Sequence, residues 1–206
     1  MFQYLSQSND ELAKLAAEAR KSLVQVRRGD KSIGAGSIWH PNGLIVTNAH
    51  VVGRGNITVT LSDRRTLPAQ YLAYDSNLDL AALYIEAEEV PSIPLGDSQA
   101  LSPGDMVIAI GHPWGLANAA TFGIVMGVGS DWPEMPASGR EWIGVDLVLR
   151  PGNSGGPLID AEGRLVGINT MLLGPDFGMA VPVHTIKRFL KESLGTSKRQ
   201  ASPVLV

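Results

Sequence analysis

From Leu23 onward the chain is cut into short apolar runs by Gly, Pro, Asn and Asp, and no long helical period survives this punctuation. Leu23–Arg27, Gly36–Trp39, Leu44–Thr47, Ile57–Leu61, Pro68–Tyr74 and Leu80–Ile85 read as strands, separated by turns such as Pro41-Asn42-Gly43 and Gly53-Arg54-Gly55. The segment Pro91–Asp105 is rich in Pro and Gly and reads as a linker. A second series follows: Met106–Ile110, Ala120–Val128, Gly144–Leu149, Pro157–Ile159, Leu165–Asn169 and Gly178–Val181. Helical spacing is confined to the ends. Leu12, Leu15, Ala16 and Ala19 form one stripe in a helix over 8–20, with Ser8 and Glu11 as a capping box; Ile186, Phe189, Leu190 and Leu194 form another, closed by Gly195. This pattern predicts an all-β fold of two antiparallel six-stranded barrels with short N- and C-terminal helices. The predicted units are an N-terminal segment and helix (1–22), a first barrel (23–95), a second barrel (96–184), and a C-terminal helix and tail (185–206).

Composition narrows the function. The formal net charge is −3, and basic residues cluster only as pairs, so nothing favours nucleic acid or an anionic membrane. There is no cysteine, which excludes disulfides, thiolate chemistry and Cys-ligated zinc. No run approaches the roughly 20 apolar residues needed to span a bilayer. The first residues lack the basic start and apolar run of a signal peptide. No metal or other cofactor is expected.

Three short motifs carry chemistry. Gly152-Asn153-Ser154-Gly155-Gly156-Pro157 sets a serine among glycines that allow a sharp turn and a close approach to a substrate. A serine hydroxyl needs a base to attack a carbonyl, and the oxyanion that forms needs donors already in place. The backbone of Gly152, Asn153 and Ser154 is the candidate oxyanion hole, with the Gly152 and Ser154 N–H groups as donors. Thr47-Asn48-Ala49-His50-Val51-Val52 puts His50 just past an apolar strand, where it can accept and return a proton. Asp79, in Asn77-Leu78-Asp79-Leu80-Ala81, directly precedes another apolar strand. A carboxylate near the core needs a partner, and His50 would supply one. His40, His112 and His184 lack such settings and read as structural or surface residues. The candidate catalytic residues, His50, Asp79 and Ser154, occur in the order found in chymotrypsin, not in that of subtilisin or the α/β-hydrolases.

Taken together, these motifs resemble the HtrA/Deg family of trypsin-like serine proteases. The matching pieces run from Gly34-Ala35-Gly36-Ser37 through Ile45–Val52, Asp79-Leu80-Ala81, Ile110–Leu116 and Pro151–Leu158 to Gly167–Thr170 and Gly178–Pro182. The resemblance implies a chymotrypsin-like double barrel with the active site between the barrels. It implies cleavage of unfolded or misfolded polypeptides without metal or ATP, and protein quality control as the setting. It further implies a homotrimer built through N-terminal aromatics, here Phe2 and Tyr4, and the bacterial periplasm or cell envelope as compartment. By the same resemblance Leu149, Thr170, Met171 and Met179 lie near the primary specificity pocket. None is acidic, so small or medium apolar side chains are expected before the cut. The chain is expected to be a protease domain without the PDZ domain that usually follows. Two residues depart from the family pattern: Arg150 and His112 each stand where Asn is more usual. The competing reading is a peptide-binding or chaperone module with little turnover.

Overall fold

A computed structural model describes residues 2–53, 55–132, 139–173 and 177–195. Twelve strands occur among them. β1 (Leu23–Arg28), β2 (Lys31–His40), β3 (Leu44–Thr47), β4 (Ile57–Thr60), β5 (Thr66–Asp75) and β6 (Leu80–Ile85) form the first set. β7 (Met106–Gly111), β8 (Ala119–Gly129), β9 (Trp142–Asp146), β10 (Pro157–Ile159), β11 (Leu165–Leu173) and β12 (Phe177–Pro182) form the second. Each set closes on itself through antiparallel pairing, in the orders β1-β2-β3-β6-β5-β4 and β10-β11-β12-β9-β8-β7. Closure removes the exposed edges an open sheet would present. The predicted fold class, two six-stranded barrels with helices only near the ends, is the observed one.

Alternation along the strands sends one set of side chains inward. Val24, Val26, Ile45, Val59, Leu83 and Ile85 fill the first barrel, and Val107, Val125, Val145, Leu158 and Val166 fill the second. A third apolar cluster forms the seam between them. It joins Val46, Leu80 and Ala82 to Ile110, Trp142, Ile159 and Val181, and it also takes in the apolar faces of both terminal helices. The segment between the barrels is pinned to β11. The Leu165 N–H donates to the Pro94 carbonyl at 2.7 Å, and the Gly96 N–H to Leu165 at 2.9 Å.

Three expectations need correction. The first helix, α1, spans Phe2–Ala19 and does not start at Ser8. No Gly or Pro precedes Gly29, so nothing stops the helix from running to the first residues, and Ser8 lies too far inside it to serve as an N-cap. The strand expected over 144–149 is β9, which ends at Asp146. Its pairing with β8 stops at Ile124↔Asp146 and that with β12 is recorded to Gly178↔Val145, and residues 147–149 leave the sheet toward the serine turn. β2 is longer than the apolar run suggests, because a tight turn at Gly29-Asp30 extends its pairing with β1 back to Arg28↔Lys31. The closing helix, here called α3, is Val183–Gly195, with Gly195 as its last residue. Among the described residues no helix is long and apolar enough to cross a membrane.

Candidate active site

The first barrel supplies an imidazole and a carboxylate. β3 ends at Thr47, and a single helical turn, α2 (Ala49–Val52), follows; buried Ala49, Val51 and Val52 anchor it and leave His50 facing the cleft. Asp79 closes the turn before β6 in the left-handed region, at φ 53°. That strained position is held by the Asn48 side-chain amide, which donates to the Asp79 carbonyl at 3.0 Å. The carboxylate then faces His50. Nδ1 lies 3.0 and 2.9 Å from its two oxygens, and the His50 backbone N–H donates to Oδ1 at 3.1 Å. The Thr170 hydroxyl, from β11 of the other barrel, donates to Oδ2 at 2.5 Å. Burial pushes the Asp79 carboxyl up, but the His50 and Thr170 hydrogen bonds and the nearby imidazole outweigh it, and the group is held below the usual carboxylate range. An ionised carboxylate only accepts, so a neutral His50 carries its proton on Nδ1 and leaves Nε2 as the acceptor. The imidazole side chain is about half exposed (49%) against 12% for the Asp79 side chain, so it can meet a substrate while its partner stays dry.

The second barrel supplies the hydroxyl. After β9 the chain runs through Leu147–Arg150 into the turn that carries Ser154. The Asn153 N–H donates to the Arg150 carbonyl at 2.9 Å, and the Asn153 side-chain oxygen accepts the Arg150 N–H at 3.1 Å. The loop 112–116 supports this turn from below, its His112 and Trp114 N–H groups donating to the Gly152 and Pro151 carbonyls, both at 2.9 Å. Two glycines are required here. Gly152 has φ 105°, and a Cβ on it would collide with the His112 carbonyl; Gly155 has φ 85°, and a Cβ would run into the Ala35 carbonyl and the Thr47 hydroxyl. That close approach lets the Ala35 N–H of β2 reach the Ser154 carbonyl at 2.8 Å, a bond from one barrel to the other. The Ser154 hydroxyl donates to the Thr170 carbonyl at 2.8 Å. His50, Ser154 and Thr170 thus line one open cleft of about 350 Å³, together with Ile33, Leu149, Arg150, Pro151 and Gly152. Among the described residues, the Gly152 and Ser154 N–H groups make no backbone hydrogen bond, whereas that of Asn153 is used within its turn.

Residues 34–168 match the trypsin-like peptidase domain family. The chain belongs to this family. It is 36% identical over 197 residues to Protease Do-like 1, chloroplastic, of Arabidopsis thaliana, covering 90% of this chain and 45% of that protein. It is 39% identical over 164 residues to Serine protease HTRA1 of Xenopus laevis, covering 78% and 36%. A solved structure of the HtrA-type protease AlgW with a decapeptide superposes with a TM-score of 0.82 at 27% identity, covering 89% of this chain and 67% of that one. The resemblance to HtrA/Deg proteases read from the motifs is therefore a relationship. The chain spans less than half the length of these curated relatives.

Within this trypsin-like domain the residues expected in the specificity pocket separate. Leu149 and Thr170 do line the cleft. Met179 does not line it; its side chain is fully buried in the seam between the barrels. The Met171 side chain lies outside the described residues, although its backbone, in β11, pairs with Met179 of β12. Thr170 has a use that the sequence reading missed, since its hydroxyl holds Asp79 and its carbonyl holds Ser154. His40 accepts a backbone N–H within its own turn. His184 joins the Ser98 hydroxyl at 2.8 Å and the Glu141 carboxylate at 2.8 Å, a second Ser–His–carboxylate chain. Ser98 is fully buried, so no carbonyl of a substrate can reach it, and this trio ties α3 to the second barrel.

His112 is a buried prop of the serine turn. Its Nδ1 accepts the Asn118 N–H, and the nearby Val24 backbone favours the protonated ring to a smaller extent than burial disfavours it. Burial pushes its pKa down from 6.5 to about 4. Between those values the unfolded chain binds a proton that the folded chain refuses. Stability therefore falls as pH drops through that window, by on the order of 3 kcal/mol in full. Chemical denaturation at pH 7 and pH 4.5 should show a loss about 2 kcal/mol larger for the native chain than for His112→Asn. Equal losses would contradict this account of His112.

Proposed function

We propose that this domain is a serine endopeptidase that hydrolyses peptide bonds in unfolded or misfolded polypeptides. The observation that carries the reading is the His50–Asp79 pair sharing one cleft with Ser154, which comes from the opposite barrel. Rotation about its Cα–Cβ bond re-aims the Ser154 hydroxyl from the Thr170 carbonyl to His50 Nε2. The oxygen attacks the substrate carbonyl carbon as its proton passes to Nε2, and Asp79 stabilises the imidazolium. The oxyanion accepts from the Gly152 and Ser154 N–H groups. His50 then protonates the leaving amine, the C–N bond breaks, and an ester to Ser154 remains. A water, giving its proton to Nε2, attacks this ester; the acid product leaves and Ser154 recovers its proton.

Leu149 and Ile33 give the cleft apolar walls, which suits a small or medium apolar side chain before the cut. Polypeptide as substrate is supported by the named relatives and by the peptide-bound structural neighbours. Ser154→Ala should lower the rate of casein hydrolysis by at least about a thousandfold. Undiminished hydrolysis by the purified variant would refute the assignment. Intact peptide binding with no turnover in either protein would favour a peptide-binding or chaperone module.

The reading includes assembly as a homotrimer through Phe2 and Tyr4, at the start of α1. Light scattering should report a trimer for the full chain and a monomer once residues 1–7 are deleted. A full chain that runs as a monomer would end that part of the proposal.

A further inference from the structure

Arg150 is a cation placed at the cleft. It is exposed and lines the same space as His50 and Ser154. Both of its backbone polar groups bond Asn153, so its Cα cannot drift from the serine turn. Its guanidinium lies 5.1 Å from the centroid of the Trp114 ring, which is itself 72% exposed. Trp114 sits in the left-handed region at φ 51°, and its backbone N–H donates to the Pro151 carbonyl. The Trp114 backbone, which carries the ring, is thus hydrogen-bonded to the serine turn. A guanidinium laid on an indole face keeps its edge N–H groups free while losing much of its side-chain freedom.

No carboxylate among the described residues lies within ion-pair distance of Arg150. Asp79, the carboxylate of the site, is taken up by His50 and Thr170. The cleft thus offers a positive charge beside the nucleophile, laid against the Trp114 ring and with no carboxylate partner among the described residues. We propose that Arg150 is a specificity-determining residue that makes this cleft favour polypeptides with an Asp or Glu side chain within two residues of the cleaved bond. The inference rests on the peptidase reading. It adds a charge criterion to the apolar one that Leu149 and Ile33 supply.

The test uses the full chain and fluorogenic peptide pairs. Within each pair the sequences are identical except for Glu or Gln at one of the two positions on either side of the cleaved bond. At low salt kcat/KM should favour Glu over Gln by about fivefold at one position or more, the size expected of a partly exposed ion pair. The ratio should shrink in about 0.5 M salt, where the Debye length is only a few ångströms. Arg150→Gln should bring the ratio to one, and Arg150→Glu should shift the preference to Lys at the same position. A ratio near one at every position of the native chain, or a ratio that Arg150→Gln leaves unchanged, would overturn the inference while cleavage of the Gln peptides keeps the peptidase reading. If no peptide of either kind is cut and casein is also untouched, the peptidase reading falls and this inference falls with it.

Discussion

One buried carboxylate is where the two barrels meet chemically. Asp79 comes from the first barrel, and its oxygens accept from the imidazole and backbone of His50 in that barrel and from the Thr170 hydroxyl of the second. A charge this dry is costly unless it is paired and hydrogen-bonded. The cost is met only when both barrels are present in their final register, so the same contacts that stabilise Asp79 fix His50 relative to β11. Ser154 is bound into that register twice, by the Ala35 N–H from the first barrel and by its own hydroxyl to the Thr170 carbonyl. Removal of Asp79 or Thr170 would therefore disturb the seam as well as the site.

The apolar seam makes this possible. Trp142, Ile110, Leu80 and Val46 bring the barrels into contact by burial, which has no direction of its own. Direction comes from the polar contacts at the cleft. The glycines serve the same end: at Gly155 any side chain would push the serine turn away from Ala35 and open the joint. The arrangement puts the Ser154 hydroxyl and the His50 imidazole on different barrels, and their alignment is set by packing away from the cleft.

Much of this was legible in the sequence. The two series of short apolar runs gave the barrels, because period-two patterning and turn residues are local signals. The serine and histidine motifs were legible because the glycines around Ser154, and the strand before His50, report local geometry. Asp79 was legible as a carboxylate beside an apolar strand. What escaped depends on contacts between distant residues. The Thr170 hydroxyl meets Asp79 across 91 positions, and nothing near Thr170 announces it. Met179 reads equally well as pocket or core, and its place in the seam is visible only in three dimensions. The early start of α1 follows from the absence of a breaker, and the end of β9 at Asp146 from where its pairing with β8 stops; apolar periodicity registers neither.

Labelling by a fluorophosphonate probe measures the central claim most directly, since the reagent reacts readily only with a serine whose proton is being withdrawn by a base. With the site mapped by peptide mass spectrometry, the account predicts modification of Ser154 alone in the native chain, and loss of that modification in His50→Ala. Labelling at Ser98 with Ser154 untouched, or labelling of Ser154 that survives loss of His50, would contradict it.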